Sequence, residues 1–175
     1  WVILDIEDNF KIVDVATKPI LPLGRLGAFD DNGVAPISFI ESGGTRFFYY
    51  VGFKPGGTTR VDLNGGLATA ASNSDEFKRF SEAPILERTK INPFMNTGPF
   101  VLKDDDILRM YYVAGLEWIH RDLPVYNIQY AESADGYTWI RNGVVSLDFI
   151  GQEVALARPW VIKDSGKYLM WYSYK

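Results

Sequence analysis

Short apolar runs separated by polar turns occupy most of the chain, and they predict strands. The runs are rich in β-branched and aromatic residues, as in "ISFI", "RFFYYV" and "YLMWYSY". Such residues suit a pleated surface with at least one buried face. A helical apolar repeat of about 3.6 residues is not sustained over any window of about 11 residues. The pattern therefore predicts an all-β fold.

The same unit of strand, polar turn and aromatic strand recurs three times. The three copies are "APISFIESGGTRFFYYVGF", "GPFVLKDDDILRMYYVAGL" and "RPWVIKDSGKYLMWYSYK", and their prolines Pro36, Pro99 and Pro159 are 63 and 60 residues apart. The downstream stretches "ATAASNSDEFKRF" and "IQYAESADGYTW" also match, each leading to a short strand that carries Phe80 or Trp139. Four short strands repeated at this interval are typical of β-propeller blades. A β-sandwich, the alternative, has no reason to repeat in this way.

The repeats predict a single, incomplete propeller domain over residues 1–175. Two full and two partial blades are expected, against the typical 4 to 8 of a closed ring. The chain starts with Trp rather than Met and stops after two strands of its last blade. We therefore expect either a fragment or a ring that another protomer closes. The predicted blade boundaries are 1–26, 27–90, 91–150 and 151–175.

Composition narrows the partners and the chemistry. A hydrophobic content of 47% with 23% charged residues is that of a folded domain. The formal net charge of −4 and the scattered basic residues argue against nucleic acid and membrane surfaces as partners. There is no cysteine and a single histidine, so neither a disulfide frame nor a common zinc site is expected. No phosphate-binding loop motif is present, and we expect no cofactor and no metal.

Polar side chains precede the first strand of each repeat. In a propeller these strands line the central channel, so their starting positions should be neighbours in space. Convergent donors and acceptors are what sugar hydroxyls need, and a pair of carboxylates could cleave a glycosidic bond. The polar residues are Asp30, Asp31 and Asn32 in the first repeat, Asn96 and Thr97 in the second, and Glu153 and Arg158 in the third.

The inner-strand repeat, "FDDNGVAP" and "YAESADGYTW" resemble the five-bladed β-propeller glycosidases, the group of arabinanases, xylosidases, invertases and levansucrases. The resemblance implies a ring of about 300 residues. It also implies Glu153 as general acid and Asp31, or Asp30 in its place, as base or pKa-tuning group. The middle repeat, "NPFMNTGP", departs from the family pattern because it has no carboxylate. The residues expected to bind substrate are Asn32, Asn96, Thr97, Arg158, Trp118 and His120.

Three features have competing interpretations. Trp118 and His120 are predicted in a long connection between two strands, either at a pocket rim or packed within the loop. Arg158 could clamp an acidic substrate group or form a structural ion pair. The acidic run 104–106 is predicted as a solvated hairpin turn, because it lacks the ligand spacing of a calcium loop.

The leading functional hypothesis is a glycoside hydrolase that acts on an oligo- or polysaccharide. One alternative is a carbohydrate-binding propeller without catalysis, which the acid-free middle repeat favours. Another is an interaction module that a second protomer completes.

Overall fold

The computed structural model describes residues 1–175, and all of its regular secondary structure is strand. The structure contains no helix that is long and apolar enough to cross a membrane. The all-β prediction is confirmed.

Most strands form two antiparallel four-stranded units. The first meander is β3 (Gly33–Ser42), β4 (Thr45–Pro55), β5 (Val61–Ala71) and β6 (Lys78–Arg79). The second meander is β7 (Asn96–Asp104), β8 (Ile107–His120), β9 (Leu123–Ser133) and β10 (Ile140–Leu147).

Two hairpins flank the meanders in sequence. The N-terminal hairpin pairs β1 (Val2–Asp5) with β2 (Lys11–Val15), and the C-terminal hairpin pairs β11 (Leu156–Asp164) with β12 (Lys167–Tyr174). The chain thus contains two full four-stranded blades and two partial ones, as predicted. The finer blade boundaries stay a prediction.

The turn of the first meander shows how local sequence shapes a hairpin. Ser42 pairs with Thr45, so the loop between β3 and β4 has only two residues. Gly43 and Gly44 have φ values of 58° and 75°. A two-residue hairpin loop of this kind requires positive φ at both positions, which glycine adopts without steric cost. The sequence "ESGGT" therefore sets the pairing register of the two strands.

The two meanders are joined by few backbone contacts and a shared core. One parallel bridge, Asn64 to Asn96, connects β5 with β7. The Ser38 hydroxyl of β3 donates a hydrogen bond to the Pro99 carbonyl at 3.0 Å and accepts one from the Val101 N–H at 3.1 Å. Apolar side chains of both meanders form one buried cluster, whose fully buried members include Tyr49, Leu67, Leu86, Met110 and Tyr112.

The flanking hairpins leave apolar side chains in solvent. Every strand residue of the N-terminal hairpin is exposed, including Ile3, Leu4 and Val13. On the C-terminal hairpin, Trp160 and Trp171 are more than half exposed, at 57% and 55%. Contiguous exposed apolar faces of this kind are unusual for a soluble monomer.

The prediction that residues 104–106 form a solvated turn is wrong for Asp104. The turn itself is Asp105–Asp106, whereas the Asp104 carboxylate is buried and links the second meander to the C-terminal hairpin. It accepts hydrogen bonds from Lys163, from the Tyr168 hydroxyl and from Arg109 Nε, the last at 2.7 Å. These bonds, led by that from Lys163, hold the pKa of Asp104 well below its usual range. Sequence reasoning missed this because two of the three partners, Lys163 and Tyr168, lie about sixty residues downstream.

This network makes stability depend on acid pH. A carboxyl whose pKa is lower in the folded state stabilises the fold above its unfolded pKa of about 4, and the contribution disappears as pH falls towards the folded value. We expect Asp104→Asn to lower the urea midpoint at pH 7 and to differ progressively less from the wild type below about pH 4. Asp106→Asn, at the exposed tip, is the control. Equal effects of both substitutions at pH 7 would contradict the assignment.

Candidate functional site

A cleft lies where the first strands of the two meanders and of the C-terminal hairpin meet. It has a volume of about 490 Å³, and Ala35 of β3, Thr97 of β7 and Ala157 of β11 line it. Each strand has a register shift at this level, next to its proline, so the chain bends at equivalent places. Bulges of this kind re-aim side chains and are common beside active sites. The predicted convergence of the three strand starts is present in this cleft.

The cleft has an aromatic and apolar wall. Trp118 of β8 and Tyr126 of β9 line it together with Val51 and Leu63 of the first meander. Burial raises the pKa of the Tyr126 hydroxyl, and the nearby positive charge of Arg158 opposes that rise. Both full blades therefore contribute walls to the cleft, and the C-terminal hairpin contributes a cation.

Three charged side chains line the cleft, namely Arg60, Asp122 and Arg158. None of them forms a salt bridge or a side-chain hydrogen bond within the chain. The Arg60 backbone N–H donates to the Arg121 carbonyl at 2.9 Å, which ties the start of β5 to the turn between β8 and β9. Arg158 has a φ of 53°, a left-handed conformation that is uncommon for a residue with a side chain.

Thr97 and Asn96 are adjacent but play different parts. Thr97 lines the cleft, is 5% exposed, and its hydroxyl oxygen is buried without a hydrogen-bond partner. The Asn96 side chain lies outside the lining, and its Nδ2 donates to the carbonyls of Glu87 and Asn92 at 3.2 and 3.1 Å. Asn96 thus holds the loop before β7, whereas Thr97 lines the cleft and its buried hydroxyl has no hydrogen-bond partner.

Asp30 lies in a buried ion pair outside the cleft lining. Its side chain is fully buried, and its Oδ2 accepts hydrogen bonds from Arg79 Nε at 2.8 Å and from the Tyr50 hydroxyl at 3.0 Å. Arg79 also donates to the Pro22 carbonyl. These contacts fasten the loop before β3 to β6 and β4, which is a structural role.

Asp31 and Asn32 form a local cluster in the same loop. Asp31 accepts hydrogen bonds from Asn32 Nδ2 at 2.9 Å and from the Gly27 N–H at 2.8 Å, and Lys54 Nζ is 3.9 Å away. The bond from Asn32, followed by that from Gly27, lowers the pKa of the Asp31 carboxyl. Asp31 is thus held ionised. Neither residue lines the cleft.

Glu153 belongs to the loop that leads into β11. Its Oε2 accepts a hydrogen bond from the Ile150 N–H at 2.7 Å, and the side chain stays partly exposed. The next residue, Val154, donates its N–H to the Lys175 carbonyl at 2.9 Å, which anchors this loop to the end of β12. Glu153 lies outside the cleft lining, four residues before Ala157.

The prediction that His120 lies in a long connection between two strands is wrong. No long connection follows the second strand of this blade, because β8 continues to His120 and β9 begins at Leu123. His120 is exposed outside the cleft lining and accepts a hydrogen bond at Nδ1 from the Asp122 N–H at 3.2 Å. Trp118, two residues earlier, does line the cleft. A register shift in the pairing of β8 with β9 lies between Trp118 and His120.

The structure therefore gathers three of the nine predicted site residues into the cleft lining: Thr97, Trp118 and Arg158. Sequence reasoning missed Arg60 and Asp122. Asp122 could have been found from the dipeptide "RD", because this polar pair between two aromatic-rich strands marks a turn. Arg60 has no such signal, since it lies in the connection directly before β5. No group of three or more acidic, histidine or cysteine side chains that could hold a metal ion is present.

Two curated relatives match nearly all of the chain. The uncharacterized protein Rv1502 of Mycobacterium tuberculosis (strain ATCC 25618 / H37Rv) is 35% identical over 173 residues, which are 98% of this chain and 58% of that protein. The uncharacterized protein MT1551 of Mycobacterium tuberculosis (strain CDC 1551 / Oshkosh) matches to the same extent. The chain thus spans less than two thirds of the length of these relatives. No protein-family model matches it.

Solved glycoside hydrolases share the fold. The GH32 beta-fructofuranosidase BmSUC1 of Bombyx mori superposes with a TM-score of 0.64 at 15% identity, over 82% of this chain and 29% of that chain. Sucrose-6-phosphate hydrolase from Lactobacillus gasseri gives 0.64 at 16% identity, over 83% and 28%. A glycosyl hydrolase from Bacteroides ovatus gives 0.55 at 20% identity, over 79% and 42%.

The strand topology, the repeat of about sixty residues and this likeness agree with one another. The two meanders and two hairpins correspond to only part of a ring. The chain has the fold of the five-bladed β-propeller glycoside hydrolases, with two full blades and two partial ones.

Proposed function

We propose that the protein acts on carbohydrate and that the cleft at the strand starts is its sugar site. The observation that carries the proposal is the convergence of β3, β7 and β11 on a cleft with an aromatic wall and unused polar groups. A sugar presents an apolar ring face and a rim of hydroxyls. Trp118 can pack on the face, while Thr97 and Arg158 can meet the rim.

Trp118 provides the direct test of the sugar site. We expect Trp118→Ala to weaken glycan binding about two- to twelvefold, since the lost aromatic contact contributes about 0.5–1.5 kcal/mol. The measurement is isothermal titration with a glycan first identified on an array. Trp160→Ala is the matched control, because Trp160 is exposed on β11 and lies outside the cleft lining. Equal loss in both variants would place the sugar elsewhere.

A more specific proposal is that the protein hydrolyses the glycan that it binds. A glycosidase of this chemistry uses one carboxylic acid to protonate the leaving oxygen and one carboxylate as base or nucleophile. Glu153 is proposed as the acid and Asp31 as the base. The lowered pKa of Asp31 supports an ionised role, and the burial of Asp30 in its ion pair makes Asp31 the better of the two. Both carboxylates would have to reach the substrate from loops beside the cleft.

Binding without catalysis is the second candidate. One observation favours it, namely that Asp122 is the single carboxylate among the residues that line the cleft. A pair is required for cleavage by the usual mechanism. A glycan that binds the protein and is not hydrolysed over extended incubation would select this candidate.

We also propose that the exposed apolar faces of the two flanking hairpins pack against further blades. The 173 aligned residues are 58% of the mycobacterial relative, so that relative is about 300 residues long, the length of five repeats of about sixty. A second copy of the chain is the alternative occupant.

The closure proposal predicts how residues 1–175 behave in isolation. We expect strong binding of a hydrophobic dye and concentration-dependent association in sedimentation velocity, because the apolar hairpin faces are uncovered. A longer chain with the remaining repeats should be monomeric and bind little dye. A monomeric 175-residue protein without dye binding would contradict the proposal.

A further inference from the structure

Two arginines in the cleft are left without partners. The chain has nine arginines, and six of them pair with carboxylates. Of the remaining three, Arg60 and Arg158 line the cleft, and Arg121 occupies the turn beside it. The unpaired guanidinium groups are therefore concentrated at one place. We propose that Arg60 and Arg158 form a subsite for the acidic group of a sugar, a carboxylate or a phosphate.

The backbone at Arg158 supports a built site. Its φ of 53° is disfavoured for a residue with a β-carbon. The conformation coincides with the register shift between Ala157 and Trp160. Strained backbone persists where the surrounding structure imposes it, and such residues cluster at ligand clamps. Here the bulge brings the Arg158 side chain to the cleft and interrupts the regular pairing of β11 with β12.

Thr97 provides an independent observation. Its side chain is buried, its oxygen has no partner, and it lines the same cleft as the two arginines. A buried hydroxyl without a partner carries a desolvation cost that a ligand oxygen would remove. A planar carboxylate or a phosphate can accept forked hydrogen bonds from guanidinium groups and one from a hydroxyl.

Asp122 limits the charge that the cleft can accept. It lines the cleft with its carboxylate free of any ion pair, so the two arginines and Asp122 together carry one net positive charge. One acidic group therefore matches the cleft, and a chain of closely spaced anionic groups does not. Asp122 can accept hydrogen bonds from hydroxyls of the same sugar. The inference rests on the proposed function and adds the substrate class.

The test compares matched acidic and neutral sugars by isothermal titration. One arm uses galacturonic acid against galactose, and the other uses glucose 6-phosphate against glucose. We expect the wild type to prefer an acidic probe and to lose that preference as salt rises. Arg60→Gln and Arg158→Gln should each weaken the acidic probe about ten- to a hundredfold. Arg60→Gln should leave the neutral probe unchanged, and Arg158→Gln, which also loses a contact to the sugar hydroxyls, should weaken the neutral probe far less than the acidic one. Lys90→Gln, an exposed and unpaired cation outside the lining, should change neither.

The outcomes distinguish a subsite for a carboxylate, a subsite for a phosphate and the absence of an acidic subsite. Preference in the first arm alone identifies a carboxylate, and preference in the second alone identifies a phosphate. Neutral sugars that bind as tightly as acidic ones, with no effect of either arginine variant, would overturn the subsite and leave the sugar site standing. A third outcome is that the wild-type protein, with a native circular dichroism spectrum, binds none of the four probes. That outcome would overturn the subsite and count against the proposed function as well.

Discussion

Replacing Arg79 with methionine is expected to lower the free energy of unfolding by about 3–5 kcal/mol. The substitution leaves the carboxylate of Asp30 fully buried with no cation beside it. Desolvating an ionised group is costly unless a partner and hydrogen bonds compensate for it. The Tyr50 hydroxyl would be the one side-chain donor left to Asp30. The measurement is the urea unfolding free energy at pH 7.

Two further variants keep this prediction sharp. Lys78→Met changes the neighbouring residue of β6, which is exposed and unpaired, and should alter stability by no more than about 0.5 kcal/mol. The double variant Asp30→Asn with Arg79→Met should be more stable than Arg79→Met alone, because no uncompensated charge is buried. Similar losses for Arg79→Met and Lys78→Met would show that the ion pair does not hold the loop before β3.

If the protein hydrolyses a glycan, Glu153→Gln is expected to lower kcat by about 10²–10⁴-fold, the usual contribution of a general acid. Glutamine preserves the size of the side chain and can no longer protonate the leaving oxygen. Because Glu153 is partly exposed and accepts a single backbone hydrogen bond, the fold should be retained. The measurement is initial-rate kinetics, with glycan affinity and thermal unfolding recorded on the same samples.

Asp122→Asn is the informative comparison for Glu153. Asp122 lines the cleft, whereas Glu153 lies in the loop beside it. If Glu153 is the acid, Asp122→Asn should change KM more than kcat, because Asp122 then contacts the sugar without transferring a proton. Unchanged kcat in Glu153→Gln together with a large loss in Asp122→Asn would assign proton transfer to Asp122 instead.

Much of the fold follows from local pattern. The aromatic run "RFFYYV" predicts a strand, because aromatic residues suit a pleated surface. The two glycines of "ESGGT" specify its pairing register with the preceding strand, because the two-residue turn requires positive φ. The recurrence of such strand pairs about every sixty residues predicts blades, and the topology has them. Where the prediction was wrong, as at His120, a strand continued beyond the run that suggested its end.

The candidate site was only partly predictable. The proline-marked strand starts indicated which residues would converge, and Thr97 and Arg158 lie in the cleft as expected. The sequence treats Asp30 and Asp31 alike, yet the structure buries one against Arg79 and ties the other to its own loop. That difference depends on a cation 49 residues away in the chain.

The sequence by itself determined the all-β character, the repeated four-stranded unit and the convergence of the strand starts, because each depends on interactions between residues close in the chain or on a regular repeat. Only the tertiary structure decided which polar groups face the cleft. Arg60 reaches it from directly before β5, Asp122 from the turn between β8 and β9, and Arg158 through a bulge in β11. Ion pairing and burial across distant segments set those positions, and no local pattern records them.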